Sequence, residues 1–94
     1  MVTVIFDYDV AAEKQAEYLR VTKEKIKPLW ESIGCKSYDV WQQTDAGTRF
    51  VKIMIFDDMS RMKETMANQA ADPAKKIFGQ FAENVSRRIC EKRT

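Results

Sequence analysis

Apolar and polar positions alternate along Val2-Thr3-Val4-Ile5-Phe6-Asp7-Tyr8, which predicts a strand with Val4, Phe6 and Tyr8 on one face and Thr3, Ile5 and Asp7 on the other. The period then lengthens. Ala12, Ala16, Leu19, Ile26, Trp30 and Ile33 recur at steps of three, four and seven, the stripe of an amphipathic helix from about Val10 to Ile33. Asp9 stands where an N-cap is wanted, and Gly34 where a helix ends. Pro28 carries no backbone N–H, so a kink or break is expected near Lys27. From Gly34 to Phe56 the pattern is that of a hairpin, with two runs rich in β-branched and aromatic residues flanking Thr44-Asp45-Ala46-Gly47-Thr48. In the second run Val51, Ile53 and Ile55 share one face, expected to pack under helices. Phe50, Lys52, Met54 and Phe56 share the other, expected to line a cavity or a subunit interface, because a plain core would not carry Lys52. The preferred register places Tyr38 and Val40 with the aliphatic set, and Ser37, Asp39 and Trp41 beside Phe50, Lys52 and Met54. A slip of one residue reverses that assignment.

Asp58 or Ser60 opens a second helix that runs to about Ala71, with Met59, Met62, Met66 and either Ala67 or Ala70 inward. Asp72-Pro73 ends it and starts a short helix to about Phe81 that presents Ile77, Phe78 and Phe81. The segment from Asn84 to Arg93 reads as a strand or as further helix; a strand is preferred because it completes a sheet edge. The order β-α-β-β-α-α-β is the split βαβ of ferredoxin-like folds: one α+β domain, residues 1–94, with an antiparallel four-stranded sheet. Helices cover one face of such a sheet. The other would expose Phe6, Tyr8, Phe50, Met54 and Phe56, more contiguous apolar area than a monomer tolerates, so a homodimer is expected.

Bulk properties narrow the functional classes. The chain is 45% hydrophobic and 32% charged, which argues against disorder, and a net charge of +2 does not argue for nucleic acid. No apolar run reaches the ~18 residues of a membrane span, and Val2–Phe6 is too short and lacks the basic leader of a signal peptide, so the expected location is cytoplasmic. Histidine is absent, which excludes Ser–His and Cys–His catalysis and a proximal-histidine haem site. Cys35 and Cys90 have no metal-type spacing and are expected as free thiols. No metal and no cofactor are expected.

The segment Gly34-Cys35, then Tyr38, Val40 and Trp41, a turn, and Arg49-Phe50-Val51-Lys52-Ile53-Met54-Ile55-Phe56-Asp57-Asp58-Met59 resembles the centre of the dimeric α+β barrel superfamily, in its antibiotic-biosynthesis-monooxygenase-like branch. The resemblance implies two sheets facing each other as a barrel, with a pocket between sheet and helices or at the barrel mouth. It implies activities that range from cofactor-free oxygenation of polycyclic aromatics to haem degradation, ring isomerisation or no catalysis. Haem-degrading members use an asparagine on the first strand, a tryptophan ending the third and a histidine on the second helix. Asp7, Phe56 and roughly Met66 stand at those places here, so the resemblance speaks against haem degradation.

Lys52 is the most informative single residue. It either holds an anionic or enol-like ligand, or acts as a base if burial lowers its pKa, or is an interface lysine paired with Asp39 or with a partner subunit. Trp41, Phe50, Met54 and Phe56 read as an aromatic-binding wall or as a dimer core. Tyr38 and Asp39 are the polar groups that could assist Lys52. Trp30, by its helical spacing, reads as core. The run Arg87 to Arg93 reads as a solvated strand face or a frayed tail rather than as a phosphate or nucleic-acid site. Two functions follow: a cofactor-independent monooxygenase-like enzyme acting on a small hydrophobic aromatic or quinone-like ligand, or a non-catalytic dimeric binding or stress-related accessory protein.

Overall fold

The computed structural model describes residues 1–45 and 47–94. Strand β1 (Val2–Asp9) leads through a 3-10 turn (Ala12–Lys14) into helix α1 (Gln15–Val21); a π-turn (Thr22–Ile26) joins α1 to α2 (Lys27–Ile33). Strands β2 (Ser37–Gln42) and β3 (Arg49–Phe56) follow as a hairpin. Its expected turn at Thr44–Thr48 includes Ala46, which lies outside the described residues. Helix α3 (Met59–Ala67), a 3-10 turn (Gln69–Ala71), α4 (Asp72–Phe81) and β4 (Glu83–Glu91) complete the chain. The strands form one antiparallel sheet in the order β2-β3-β1-β4, the split βαβ arrangement expected from the element order. The ambiguous tail is a strand, paired along β1 from Val2–Glu91 to Asp9–Glu83.

The long helix does not break at Pro28. It widens just before it. The Lys27 N–H donates to the carbonyl of Thr22, a π-type bond, and Pro28 then sits in the first turn of α2. The wider turn changes the phase of the buried stripe. Tyr18, Thr22, Ile26 and Trp30 are buried at a constant step of four, whereas Ala12, Ala16 and Leu19, expected on the stripe, are exposed. Asp9 is not a helix cap either. It ends β1, where its carboxylate accepts from Arg49, Asn84 and Thr48 and ties three strand ends together. Asp58 does cap α3, accepting from the Arg61 N–H at 2.7 Å, a contact worth about 1 kcal/mol in typical helices. Gly34 closes α2 at φ 138°, a conformation that L side chains rarely adopt.

The strand faces are the reverse of the expected ones. Phe50, Lys52, Met54 and Phe56 are buried beneath the helices, and Val51, Ile53 and Ile55 lie on the outer, partly exposed face. Register follows the same parity. Tyr38 pairs with Met54 and Val40 with Lys52, while Asp39 pairs with Ile53 and Trp41 with Val51. On β1, Val2, Val4, Phe6 and Tyr8 oppose Phe56, Met54, Lys52 and Phe50. The physical reason is volume. The helical layer must meet the sheet face that carries the large rings, since those bury the most area per residue. One core cluster joins Val4, Ile26, Trp30, Tyr38, Met54 and Phe56; a second joins Tyr8, Val10, Tyr18 and Phe50. Hence Tyr8, Phe50, Met54 and Phe56 are not the residues a second copy would cover. The outer face carries Ile5, Val51, Ile53, Ile55 and the largely exposed Trp41 instead.

Candidate functional site: a cationic aromatic cavity between sheet and helices

Strand parity aims Lys52 from the middle of β3 into the space between sheet and helices. Phe6 lies opposite it on β1, and Phe78 reaches down from α4. A cavity of about 320 Å³ opens at this point. Its apolar wall is made of Phe6 from β1, Trp30 from α2, Met54 from β3, Met66 from α3, and Ala74 and Phe78 from α4. Three further lining residues carry basic side chains: Lys52, Lys75 of α4 and Arg87 of β4. Among the described residues that line it, none is a carboxylate.

Lys52 is 3% exposed, and no carboxylate or hydrogen-bond acceptor meets its Nζ among the described residues. What surrounds the amine is aromatic. Nζ lies 3.5 Å from the ring centre of Phe78, 4.0 Å from that of Phe6 and 5.5 Å from that of Tyr38. Such faces attract an ammonium but replace only part of its lost hydration. Burial therefore lowers the Lys52 pKa from 10.5 to about 7, against a smaller opposing effect of the Cys35 sulfur. The expected Lys52–Asp39 pair does not form. Asp39 lies on the outer face and bonds Lys27, Nζ to Oδ1 at 3.4 Å.

Of the residues singled out in the sequence, Lys52 and Met54 line the cavity, and Tyr38 stands behind Lys52. The Tyr38 hydroxyl is buried without a hydrogen-bond partner among the described residues, and desolvation raises its pKa well above the ordinary value. Phe50 packs in the second core cluster, stacked on Tyr8 with ring centres 6.0 Å apart; Phe56 packs in the first cluster. Neither touches the cavity, and Trp41 and Asp39 lie on the far face. The aromatic wall is real but built from other rings: Phe6, Trp30 and Phe78. The sequence favours Trp30 as core over ligand contact, and Arg87 as part of a solvated strand face or frayed tail over a phosphate or nucleic-acid site. The missing signal was register. Phe6, Lys52 and Arg87 occupy one rung of β4, β1 and β3, since Phe6 pairs with both of the others.

Among the described residues no helix is long and apolar enough to cross a membrane, and no group of three or more acidic, cysteine or histidine side chains could hold a metal ion. A family model described as antibiotic biosynthesis monooxygenase matches residues 1–76. No curated protein matches in sequence. Solved structures are similar over nearly the whole chain. SnoaB, a cofactor-independent oxygenase from Streptomyces nogalater, is 16% identical with a TM-score of 0.83, covering 99% of this chain and 93% of that one. HapK from Hahella chejuensis is 15% identical with a TM-score of 0.82, covering 98% and 92%. Rv0793 from Mycobacterium tuberculosis is 17% identical with a TM-score of 0.76, covering 99% and 95%. At these identities the likeness shows a shared fold.

Proposed function

The chain belongs to the antibiotic biosynthesis monooxygenase family, and we propose that its cavity binds a hydrophobic aromatic or quinone-like compound and acts on it as a cofactor-independent monooxygenase. The observation that carries this reading is the cavity itself: about 320 Å³, walled by rings and thioethers, with an unpaired amine on its floor. A ring system entering the cavity meets Phe6, Phe78 and Trp30 along its wall. Lys52 then meets the ring's oxygen substituent. As a neutral amine it takes a proton from a phenol or an activated C–H; as an ammonium it stabilises the enolate or phenolate so formed. The electron-rich carbanion reacts with dioxygen, so the substrate itself supplies the electrons. The low-polarity wall keeps water from reprotonating it. A second reading, binding without turnover, is favoured by one fact: among the described residues no carboxylate lines the cavity to relay a proton from Lys52.

The two readings separate in one experiment. Trp30 lines the cavity, but Trp41 is 62% exposed and would mask its emission. In a Trp41→Phe background, 1,4-naphthoquinone is expected to quench Trp30 saturably, and anthrone to give oxygen uptake that Lys52→Met reduces at least ~100-fold, the usual contribution of a positioned acid or base. Quenching without oxygen uptake leaves the binding reading. Absence of both overturns the cavity as a ligand site.

We propose in addition that the protein works as a homodimer through the outer sheet face. Ile5, Val51, Ile53 and Ile55 form an aliphatic field there, with Trp41 beside it. Ile53, at its centre, is expected to tolerate no charge once covered. Ile53→Glu should shift the sedimenting species from two chains to one at micromolar concentration; a wild-type protein that sediments as one chain would refute the dimer.

A further inference from the structure

We propose that Lys52 is a nucleophilic amine that forms an imine with the carbonyl of an aryl aldehyde or ketone held in the cavity. The proposal rests on the cavity as a ligand site, not on oxygenation. Imine chemistry needs an unprotonated amine, free of a carboxylate, beside an apolar space that holds the carbonyl compound and lets water leave. Lys52 meets each condition. It is 3% exposed, lines the cavity and has no ion pair among the described residues.

Burial favours the neutral amine, against a smaller opposing effect of the Cys35 sulfur. Lys75 lines the cavity from α4 and Arg87 from β4, and neither element brings a carboxylate to the lining. Tyr38 and the Cys35 thiol are the titratable neighbours toward β2; burial pushes both pKa values up, to about 11 for Cys35, so both are neutral at physiological pH. Phe6 and Phe78 hold Nζ against their ring faces, which fixes the position of the attacking atom. Lys52 Nζ adds to the carbonyl carbon, and one amine proton moves to the oxygen. The second amine proton then leaves with that oxygen as water, and the C=N bond is complete. No oxidant or reductant takes part.

The test uses 2-hydroxy-1-naphthaldehyde with sodium cyanoborohydride at pH 7, which reduces the imine to a stable secondary amine. Intact mass and peptide mapping read the result. One adduct at Lys52 per chain is expected, mapped apart from any label on the Met1 α-amine and heavier than the protein by one aldehyde less one oxygen. Labelling at Lys52 should exceed that of any other lysine by at least about ten-fold, because exposed lysines near pKa 10.4 hold very little free amine at this pH. The Lys52 adduct should vanish in Lys52→Met and in Lys52→Arg, with cooperative melting confirming that each is folded. Label spread over surface lysines, or unchanged total label in both variants, overturns the proposal. Quenching of Trp30 by naphthoquinone alongside such spread labelling would retain the cavity and dismiss the amine. Selective Lys52 labelling without oxygen uptake from anthrone would retain the amine and dismiss the oxygenase.

Discussion

Lys52→Met is expected to stabilise the protein by about 3 kcal/mol at pH 7 and to raise its melting temperature on the order of 10 °C. Methionine nearly matches the volume of the lysine stem, and it suits a site already lined by Met54 and Met66. What it removes is the cost of holding an ammonium in a space without a carboxylate. The lowering of the pKa from 10.5 to about 7 sets the scale, since each pKa unit corresponds to about 1.4 kcal/mol. The sign follows from proton binding. Between about pH 7 and 10.5 the unfolded chain holds a proton on this lysine that the folded chain releases, so folding gains stability as pH rises through that window. Below about pH 7 both states are protonated and the full penalty applies. Opposing groups limit the gain. Burial raises the Cys35 thiol from 9.0 to about 11 and the Tyr18 phenol from 10.0 to about 12, and it raises Tyr8 and Tyr38 as well. Their stabilising effect is present at lower pH and is lost as pH climbs past 9 to 10. Wild-type stability should therefore peak near pH 9, and the advantage of the variant should shrink from pH 7 to pH 9. Thermal or urea unfolding at both values checks this; a variant equal to or less stable than wild type at pH 7 would show that Lys52 has a partner.

The second large effect is expected at Gly34. Gly34→Ala should cost roughly 3 kcal/mol and leave the domain partly unfolded at 37 °C. Two independent penalties add. The residue sits at φ 138°, which an L side chain reaches only under strain. An added Cβ would also fall onto Oγ1 of Thr65 and lie 3.2 Å from Cδ of Arg61. Thr65 is 2% exposed on the inner side of α3 and has no room to retreat. Pairing Gly34→Ala with Thr65→Ala relieves the clash but not the strain. The double variant should recover part of the loss, and urea unfolding of both proteins measures that part. Recovery of the whole loss would mean that the backbone conformation costs nothing.

The sequence carried the order and type of the elements because each depends on local chemistry. Pro28, Gly34, Asp58 and Pro73 act where they stand. The tail needed topology, and the empty sheet edge beside β1 decided it. Which strand face meets the helices was not legible, because alternation defines two faces without labelling them. Lys52 was the misleading residue. A charge among Phe50, Met54 and Phe56 argues against a core, yet here the stem is buried and the amine is held between Phe6 and Phe78. That one inversion moved Trp41 and Asp39 out of the site and brought Phe6, Trp30, Phe78 and Arg87 into it. Lys52 stands at the cavity under either assignment of the faces, since any reading of β3 must account for its charge in mid-strand. The phase of the long helix was missed for a different reason. The π-turn before Pro28 adds a residue to the repeat, and a fixed step near 3.6 cannot see it.

Residues 52 and 53 are neighbours in the chain yet point into different compartments. One faces an interior chamber and the other the outside of the sheet. On the proposed reading, variation at 52 and 54 retunes what the chamber admits. On the same reading, variation at 51, 53 and 55 retunes what the molecule adheres to. A relative could exchange one chemistry for another while keeping its mode of association, with no change in the backbone path.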